Sequence, residues 1–439
     1  MLNKFIINKV NDKVKIIIAI TNICLFLFLE IISVLYFKVE RHWDFKWIMD
    51  SAEQLSRTGT TENAFYFAVF PNNIGALVIT TVAMFIAGGN EVGAYIANII
   101  FVLLSFIFLA LSAKKIGGIQ LAINAELLML LCFPSFLYTP IVYTDTLSIF
   151  IPILTLYLWL MSKDEENEKK KYILFILMAI TGIVGYSIKP VAMIVYIAII
   201  IETLFLNKKN LKYMLVSLSI FVILFTSYKV AINKLIIKDS QYPYPYTHWI
   251  MMGLNKPESE GGSSIGYGAY SEEDSSYTGS KPTVEERKNA NILKIKERLN
   301  NFGVIGYIDF LFKKFEYVWN DGTYFVFKKI SWDTINKDNL LYDYVIGEKS
   351  KIINQYLSYY HGFIMLMILI GLGYNIRTRK DDFVRVMGIS MVGIALFLLV
   401  WEARSRYIYF MIPIFCLLAA INIKEISNWV DKKEKIKHE

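Results

Sequence analysis

Two carboxylates stand out by where they fall in the chain. Asp44, in His42-Trp43-Asp44-Phe45-Lys46, follows the first long apolar run by seven residues, and Asp145, in Tyr143-Thr144-Asp145, sits where the chain turns back into another. Alone, Asp44 reads as a solvated loop residue and Asp145 as a helix N-cap favoured by the helix dipole. Together they are expected at one depth on one side of a membrane. Cations join them. Lys189-Pro190 interrupts some thirty apolar residues, and Glu402-Ala403-Arg404-Ser405-Arg406-Tyr407 joins two apolar runs by a short hairpin. A lysine in mid-bilayer is costly, so Lys189 belongs at the surface between two short spans, where it can also snorkel. Arginine pairs bidentately with phosphate, and lipid phosphates lie at this depth. Cations that hold a phosphate leaving group, beside a carboxylate that accepts a hydroxyl proton, are the parts needed for sugar transfer from a lipid phosphate.

The elements that must position these residues follow from composition. Of 439 residues, 55% are hydrophobic and only 19% charged, against roughly a quarter charged in soluble domains. Apolar runs near 16–37, 93–112, 119–138, 146–161, 172–187, 190–206, 212–232, 356–374, 384–402 and 407–422 suit the thickness of a bilayer. The expected fold is an all-α polytopic membrane protein with about ten transmembrane helices. A soluble enzyme, a nucleic-acid reader and a disulfide-stapled secreted domain are excluded. One further run, 74–87, is short and follows Pro71-Asn72-Asn73. If it does not cross, the inner segments hold 22 Lys or Arg and the outer connections, apart from 233–355, hold 7. If it crosses, nearly all basic clusters move outside, including Lys169-Lys170-Lys171 and Arg377-Thr378-Arg379-Lys380. The positive-inside rule selects the first case. The expectation is a multi-pass plasma-membrane protein with both termini cytoplasmic and 74–87 an interfacial or re-entrant helix.

Three regions result: an N-terminal membrane module (1–232) with the catalytic outer loops, an outer-face subdomain (233–355), mainly helical, and C-terminal membrane helices with a basic tail (356–439). In the first outer loop, Phe45, Ile48, Met49, Ala52 and Leu55 share one face of an interfacial amphipathic helix, with Trp43 and Trp47 at headgroup depth. In the subdomain, residues 257–282 are rich in Gly, Ser and Tyr and read as a mobile loop. Thr283-Val284-Glu285-Glu286 fits a capping box, opening a helix that Gly303 should end, and 304–319 repeats apolar residues at helical spacing. His248, Tyr267 and Tyr270 lie within reach of an outer-face acceptor, tyrosines there being able to stack on sugar rings. Glu30 and Glu126 fall inside spans, which keeps a transporter or flippase reading open. Cys24, Cys132 and Cys416 lie in apolar runs, as packing residues. A metal requirement stays open. Glu272-Glu273-Asp274 carry oxygens for a divalent cation, but calcium-loop spacing is missing and a solvated acidic turn accounts for them.

The chain resembles the polytopic glycosyltransferases of the GT-C fold, which use polyprenyl-phosphate sugars and include the protein O-mannosyltransferases and the aminoarabinose transferase of lipid A. The shared plan is an acid in the first outer loop, interfacial helices, and an acid in the second outer loop about a hundred residues on, here Asp44 and Asp145. More closely, it is similar to a group of integral membrane proteins of low-GC Gram-positive bacteria, through Phe70-Pro71-Asn72-Asn73-Ile74, Tyr143-Thr144-Asp145, Lys189-Pro190, His248 to Leu254, and Glu402 to Tyr407. The resemblance implies Asp44 as the catalytic acid, Asp145 as its second-loop partner, and Lys189, Arg404 and Arg406 facing the donor phosphate. It implies a polyprenyl-phosphate sugar lipid as donor and a cell-envelope glycan or protein as acceptor. Asp44 is followed by Phe45 where eukaryotic O-mannosyltransferases often carry a second acid, a departure that weighs against a protein acceptor. A polymerase or ligase of lipid-linked saccharides is the alternative, separated by whether a carboxylate is required.

Overall fold

The structure, a computed structural model, describes residues 11–237, 242–339, 341–378 and 381–438. Lys4, Lys9, Arg379 and Lys380, which enter the charge count, lie outside the described residues. The chain is helical, with no strand among the described residues beyond two isolated bridges. Eight helices are long and apolar enough to cross a membrane: α1 (Asp12–Tyr36), α4 (Val92–Leu131), α5 (Thr144–Asp164), α6 (Glu168–Ile188), α8 (Lys208–Ile236), α11 (Ser350–Thr378), α12 (Asp382–Val400) and α13 (Ser405–Asn428). Between them lie α2 (Trp43–Thr58), the shorter apolar α3 (Pro71–Ile86) and α7 (Pro190–Leu206), and, outside the bundle, α9 (Val284–Trp319) and α10 (Val326–Asp333).

Ion pairs sort the helix ends into two faces. At one, Lys163 pairs with Asp382, Arg385 with Glu202 at 2.7 Å, Lys115 with Asp164 at 2.8 Å and Lys212 with Glu168 at 2.5 Å. At the other, Lys38 and Arg41 both pair with Glu91, and Asp145 pairs with Lys189 and Arg406. The short α7 runs from Lys189 on the second face to Glu202 on the first. The long α4 breaks at Gly117-Gly118, where Gly118 takes φ 80°, a conformation that favours glycine. Lys424 of α13 donates to the Gly117 carbonyl on the first face, so α4 is two passes joined at that break. The ten expected runs are thus eight long helices, one of them double, and one short one.

The same pairs keep 74–87 from crossing. Segment 38–91 starts and ends on the Lys38–Glu91 face. At the far end of α3, Gly89 accepts from Arg57 of α2. A Cβ on Gly75 would stand 2.0 Å from the Ser187 carbonyl oxygen, so α3 beds against the end of α6 backbone to backbone, the contact that drives helix association where apolar burial cannot. In α2, Phe45, Ile48, Met49 and Ala52 are buried, as their spacing requires. Thr283 caps α9 by accepting from Glu286 N, and Gly303 breaks it at φ 60°.

The segment 242–339 packs on the second face. Residues 257–282 are ordered, which corrects their reading as a mobile loop. Ser271 caps a short helix, Glu272–Gly279, and Asp274 is buried in an ion pair with Arg298 at 2.7 Å. A Cβ on Gly262 would lie 1.9 Å from the Lys256 carbonyl oxygen, and Gly268 has φ 65° beside Lys314. These glycines serve close packing, which composition cannot distinguish from flexibility.

Candidate active site

Asp145 is the anchor of the site. It is fully buried where the chain enters α5. Oδ1 takes the ion pair from Lys189, and Oδ2 accepts from Arg406 Nη1 at 3.2 Å and from the Tyr138 hydroxyl at 3.2 Å. Three distant stretches, 138–145, 188–190 and 404–407, are thereby pinned together. Lys189 and Arg406 stand on the wall of a cavity of about 510 Å³, with Asn72, Asn73, Tyr143 and Tyr407. The remaining wall is mostly apolar and aromatic, including Tyr186, Tyr228, Trp249, Phe397 and Trp401 from α6, α8, α12 and the 242–339 segment, and is broken by Thr144, Lys229 and Asn233.

Asp44 lies next to this cavity, half-buried at the start of α2. The Tyr66 hydroxyl donates to Oδ1 at 2.6 Å and the Tyr143 hydroxyl to Oδ2 at 2.9 Å. Tyr66 in turn accepts from Asn73 at 2.6 Å, which gives Pro71-Asn72-Asn73 a purpose: it orients the tyrosine that orients the acid. Burial, then the charge of Asp44, pushes the Tyr66 phenol well above its usual range, so it stays a donor. Tyr143 joins the two acids, since its hydroxyl holds Asp44 while the Arg406 guanidinium sits over its ring at 5.4 Å.

Two further cations complete the cluster. Lys329 of α10 is 5% exposed, and its ammonium lies 3.1 Å from the centre of the Trp43 ring. Arg404 is buried, its guanidinium 5.0 Å from the Phe325 ring and its Nε without a hydrogen bond. Among the described residues neither side chain has an ion pair with a carboxylate. The chain is strained where they sit. Trp43, Tyr324 and Phe325, with φ of 43°, 52° and 62°, are the non-glycine residues at positive φ among those described, a conformation that costs of order 1–3 kcal/mol each. Pairing of Ile335 N with the Lys38 carbonyl at 2.9 Å brings α10 over Trp43. Arg404 is set by its neighbours: Ala403 N donates to Gly268, and the Ser405 hydroxyl donates to Asp321 at 2.5 Å. Behind them Lys314 donates to the carbonyls of Gly253, Leu399 and Trp401 at 2.6, 3.1 and 2.7 Å, closing the end of α12. Burial draws that lysine down to about 7.

Asp44, Asp145, Lys189 and Arg406 therefore meet, with Arg404 beside them. His248, Tyr267 and Tyr270 do not join them. His248 is buried, and its Nδ1 lies 2.8 Å from Thr278 Oγ1, whose proton goes to Asn291 at 3.0 Å, so the ring donates. Burial lowers it to about 4, which keeps it neutral. Tyr267 bonds Glu260 beside Lys313, and Tyr270 bonds Glu272. The Glu272-Glu273-Asp274 turn is divided between Tyr270 and Arg298. Inside the bundle, Glu126 accepts from Asn22 at 2.9 Å, and both oxygens of Glu30 are buried without a hydrogen bond. Neither lines the cavity. Sequence reasoning missed Lys329, Tyr66 and Tyr143. Tyr143 had a signal in its adjacency to Thr144-Asp145; Lys329, in a polar segment, had none.

A bundle of long apolar helices with an ionic cluster at one end, capped by a helical segment, defines a polytopic membrane protein with a built polar site. The chain belongs to the family described as conserved hypothetical integral membrane protein, which matches residues 2–427. No curated protein matches it. Among solved structures it is similar to ArnT from Cupriavidus metallidurans in the apo state, at 14% identity and a TM-score of 0.52, over 95% of this chain and 62% of that one. It is also similar to the Archaeoglobus fulgidus oligosaccharyltransferase in the apo form, at 13% identity and a TM-score of 0.50, over 96% of this chain and 52% of that one. The chain thus spans between half and two thirds of the length of these structures. The likeness is one of fold, the GT-C fold that the chain's resemblance implied.

Proposed function

We propose that this protein is a glycosyltransferase that moves a sugar from a polyprenyl-phosphate donor to a cell-envelope acceptor at the outer face of the plasma membrane. The observation that carries the reading is that Lys189 and Arg406, paired through buried Asp145, stand on the wall of a cavity whose lining is otherwise mostly aromatic and apolar, with Lys229 and Asn233 as its other polar side chains beside Asn72, Asn73 and Thr144. A phosphate at the cationic end and an isoprenoid chain along the apolar side match that division. The acceptor hydroxyl passes its proton to Asp44 as its oxygen bonds the anomeric carbon. The bond from that carbon to phosphate oxygen breaks, and its electron pair leaves with the phosphate toward Lys189 and Arg406. Asp145 is spent on holding the cations, so it is a positioning residue. Such preorganised charge stabilises the leaving group without rearrangement during the reaction. ArnT and the oligosaccharyltransferase, whose fold the chain shares, are consistent with transfer chemistry.

The test is a deletion strain examined for lipid-linked sugars and envelope glycans. A polyprenyl-phosphate sugar should accumulate, and the wild-type gene should clear it. Arg406→Ala should clear it at least about tenfold more slowly, the loss of a charge-assisted hydrogen bond being worth roughly 1.5–3 kcal/mol. An unchanged lipid profile on deletion rejects the reading. Loss of long glycan chains with no lipid-sugar build-up favours a polymerase or ligase.

Orientation follows from the 22 inner basic residues. A cysteine at Lys170 should resist membrane-impermeant maleimide in intact cells, and one at Ser276 should react. Labelling at 170 and protection at 276 would turn the molecule over and place the site inside.

A further inference from the structure

The four cations of the cluster divide into two pairs. Lys189 and Arg406 share Asp145 and line the cavity, whereas Lys329 and Arg404 have no carboxylate partner among the described residues and stand outside its wall. Tyr143 is the partition. On one side Arg406 covers its ring; on the other its hydroxyl meets Asp44 and the Trp43 ring packs edge-on at 5.4 Å. Lys329 caps Trp43 from beyond. The three strained residues support this second side alone, Trp43 under Lys329 and Tyr324-Phe325 behind Arg404. A donor phosphate held at Lys189 and Arg406 leaves the Arg404 charge without a counter-ion and the buried Lys329 amine without an acidic partner, and a buried charge is costly until it is paired.

We propose that Lys329 and Arg404 form a second anion subsite, which takes a phosphate group carried by the acceptor next to the hydroxyl that Asp44 deprotonates. This rests on the glycosyltransferase reading above and names the acceptor class: a phosphate-bearing polyol, as a polymer or as a lipid headgroup. Arg404 offers donors in one plane and Lys329 offers a further donor from a different element. Donors from two directions suit a tetrahedral phosphate better than a flat carboxylate. Asp44 is then the charge that keeps the subsite from holding a phosphate too tightly to release it.

A second signature follows from charge. Burial, then the fields of Arg406 and Arg404, outweighs the pull of Asp44 and Asp145 and draws the Lys329 ammonium down to about 6. The empty subsite is largely neutral at Lys329 above that pH. A bound phosphate restores the charge, so binding takes up a proton, and affinity rises as pH falls from 8 towards 6. The folded protein also binds fewer protons there than the unfolded chain. Its stability therefore rises with pH between about 6 and the ordinary lysine value, a slope that Lys329→Met removes.

The experiment uses the full chain in phosphatidylcholine nanodiscs, titrated with an oligomer of glycerol phosphate and, separately, with polyprenyl phosphate. The Lys329→Met, Arg404→Gln double variant should lose at least about tenfold in oligomer affinity together with its pH dependence, and keep polyprenyl phosphate binding within about twofold. Bound polyprenyl phosphate in that variant also certifies its fold. Equal losses for both ligands would assign all four cations to the donor and overturn the proposal. Oligomer binding untouched by the double variant, or absent from the wild type, would overturn it as well. Failure of the wild type to bind polyprenyl phosphate while the oligomer arm behaves as expected counts against the donor reading instead. Competition by phosphatidylglycerol in the discs, lost in the double variant, identifies the headgroup as the phosphate source; its absence identifies the polymer.

Discussion

Asp44→Asn is expected to lower sugar transfer by roughly 10²- to 10⁴-fold, the usual contribution of a general base, with expression and lipid binding unchanged. The argument lies in how Asp44 is held. Each oxygen receives one tyrosine hydroxyl, from Tyr66 and Tyr143, and a carboxylate oxygen has a further lone pair for a substrate proton. The side chain is half-buried, so the substitution neither opens a cavity nor strands a buried charge. Asparagine keeps the shape, and the Tyr143 hydroxyl can turn to accept from the new amide. What is lost is the ability to take a proton. Tyr143→Phe is the control: it removes one orienting bond of 2.9 Å and should cost about tenfold or less. Turnover is read with a polyprenyl-phosphate sugar, and folding by size-exclusion and thermal melts. Wild-type transfer by Asp44→Asn would end the general-base mechanism and favour the polymerase or ligase reading.

The parts of this site legible in sequence were those that break a rule of the bilayer. Lys189, Arg404 and Arg406 stood out because cations are costly in apolar surroundings, and Asp145 because it opened a span. The number of passes was legible for the same reason, from apolar runs and basic clusters, and the Gly117-Gly118 break sits between two of those runs. Segments with balanced charge offer no such contrast. Across 233–355 the sequence has 16 basic and 16 acidic residues, so Lys329 looks like any solvated lysine until Ile335 pairs with Lys38 and lays α10 over Trp43. His248 shows the converse. A histidine beside Trp and Met reads alike whether it faces a ligand or packs inward, and the Thr278 hydroxyl that claims it is 30 residues away, itself oriented by the Asn291 amide oxygen. Gly262 and Gly268 were misread as flexible because composition registers a missing side chain and not the neighbour that excludes it.

Asp145→Asn should be the more damaging substitution, and by a different route. The residue is fully buried, and its oxygens are taken by Lys189, Arg406 and Tyr138. Oδ2 is filled by Arg406 and Tyr138, and the lone pair left on Oδ1 is buried beside the Lys189 ammonium, so the loss is not one of basicity. Removing the charge leaves two buried cations facing each other, and breaking a buried pair this way costs about 3–5 kcal/mol. The stretches 138–145, 188–190 and 404–407 lose their common anchor, and the cavity wall loses its shape. A lower melting temperature and loss of polyprenyl phosphate binding are expected together, unlike Asp44→Asn, where both stay intact. Adding Lys189→Met to Asp145→Asn removes one stranded cation and should recover much of the stability without recovering transfer, because the phosphate clamp is then a single arginine. That split separates an anchor from a catalyst. If Asp145→Asn instead leaves the melt and donor binding untouched and stops turnover alone, Asp145 itself exchanges the proton, and the anchor role assigned to it here is wrong.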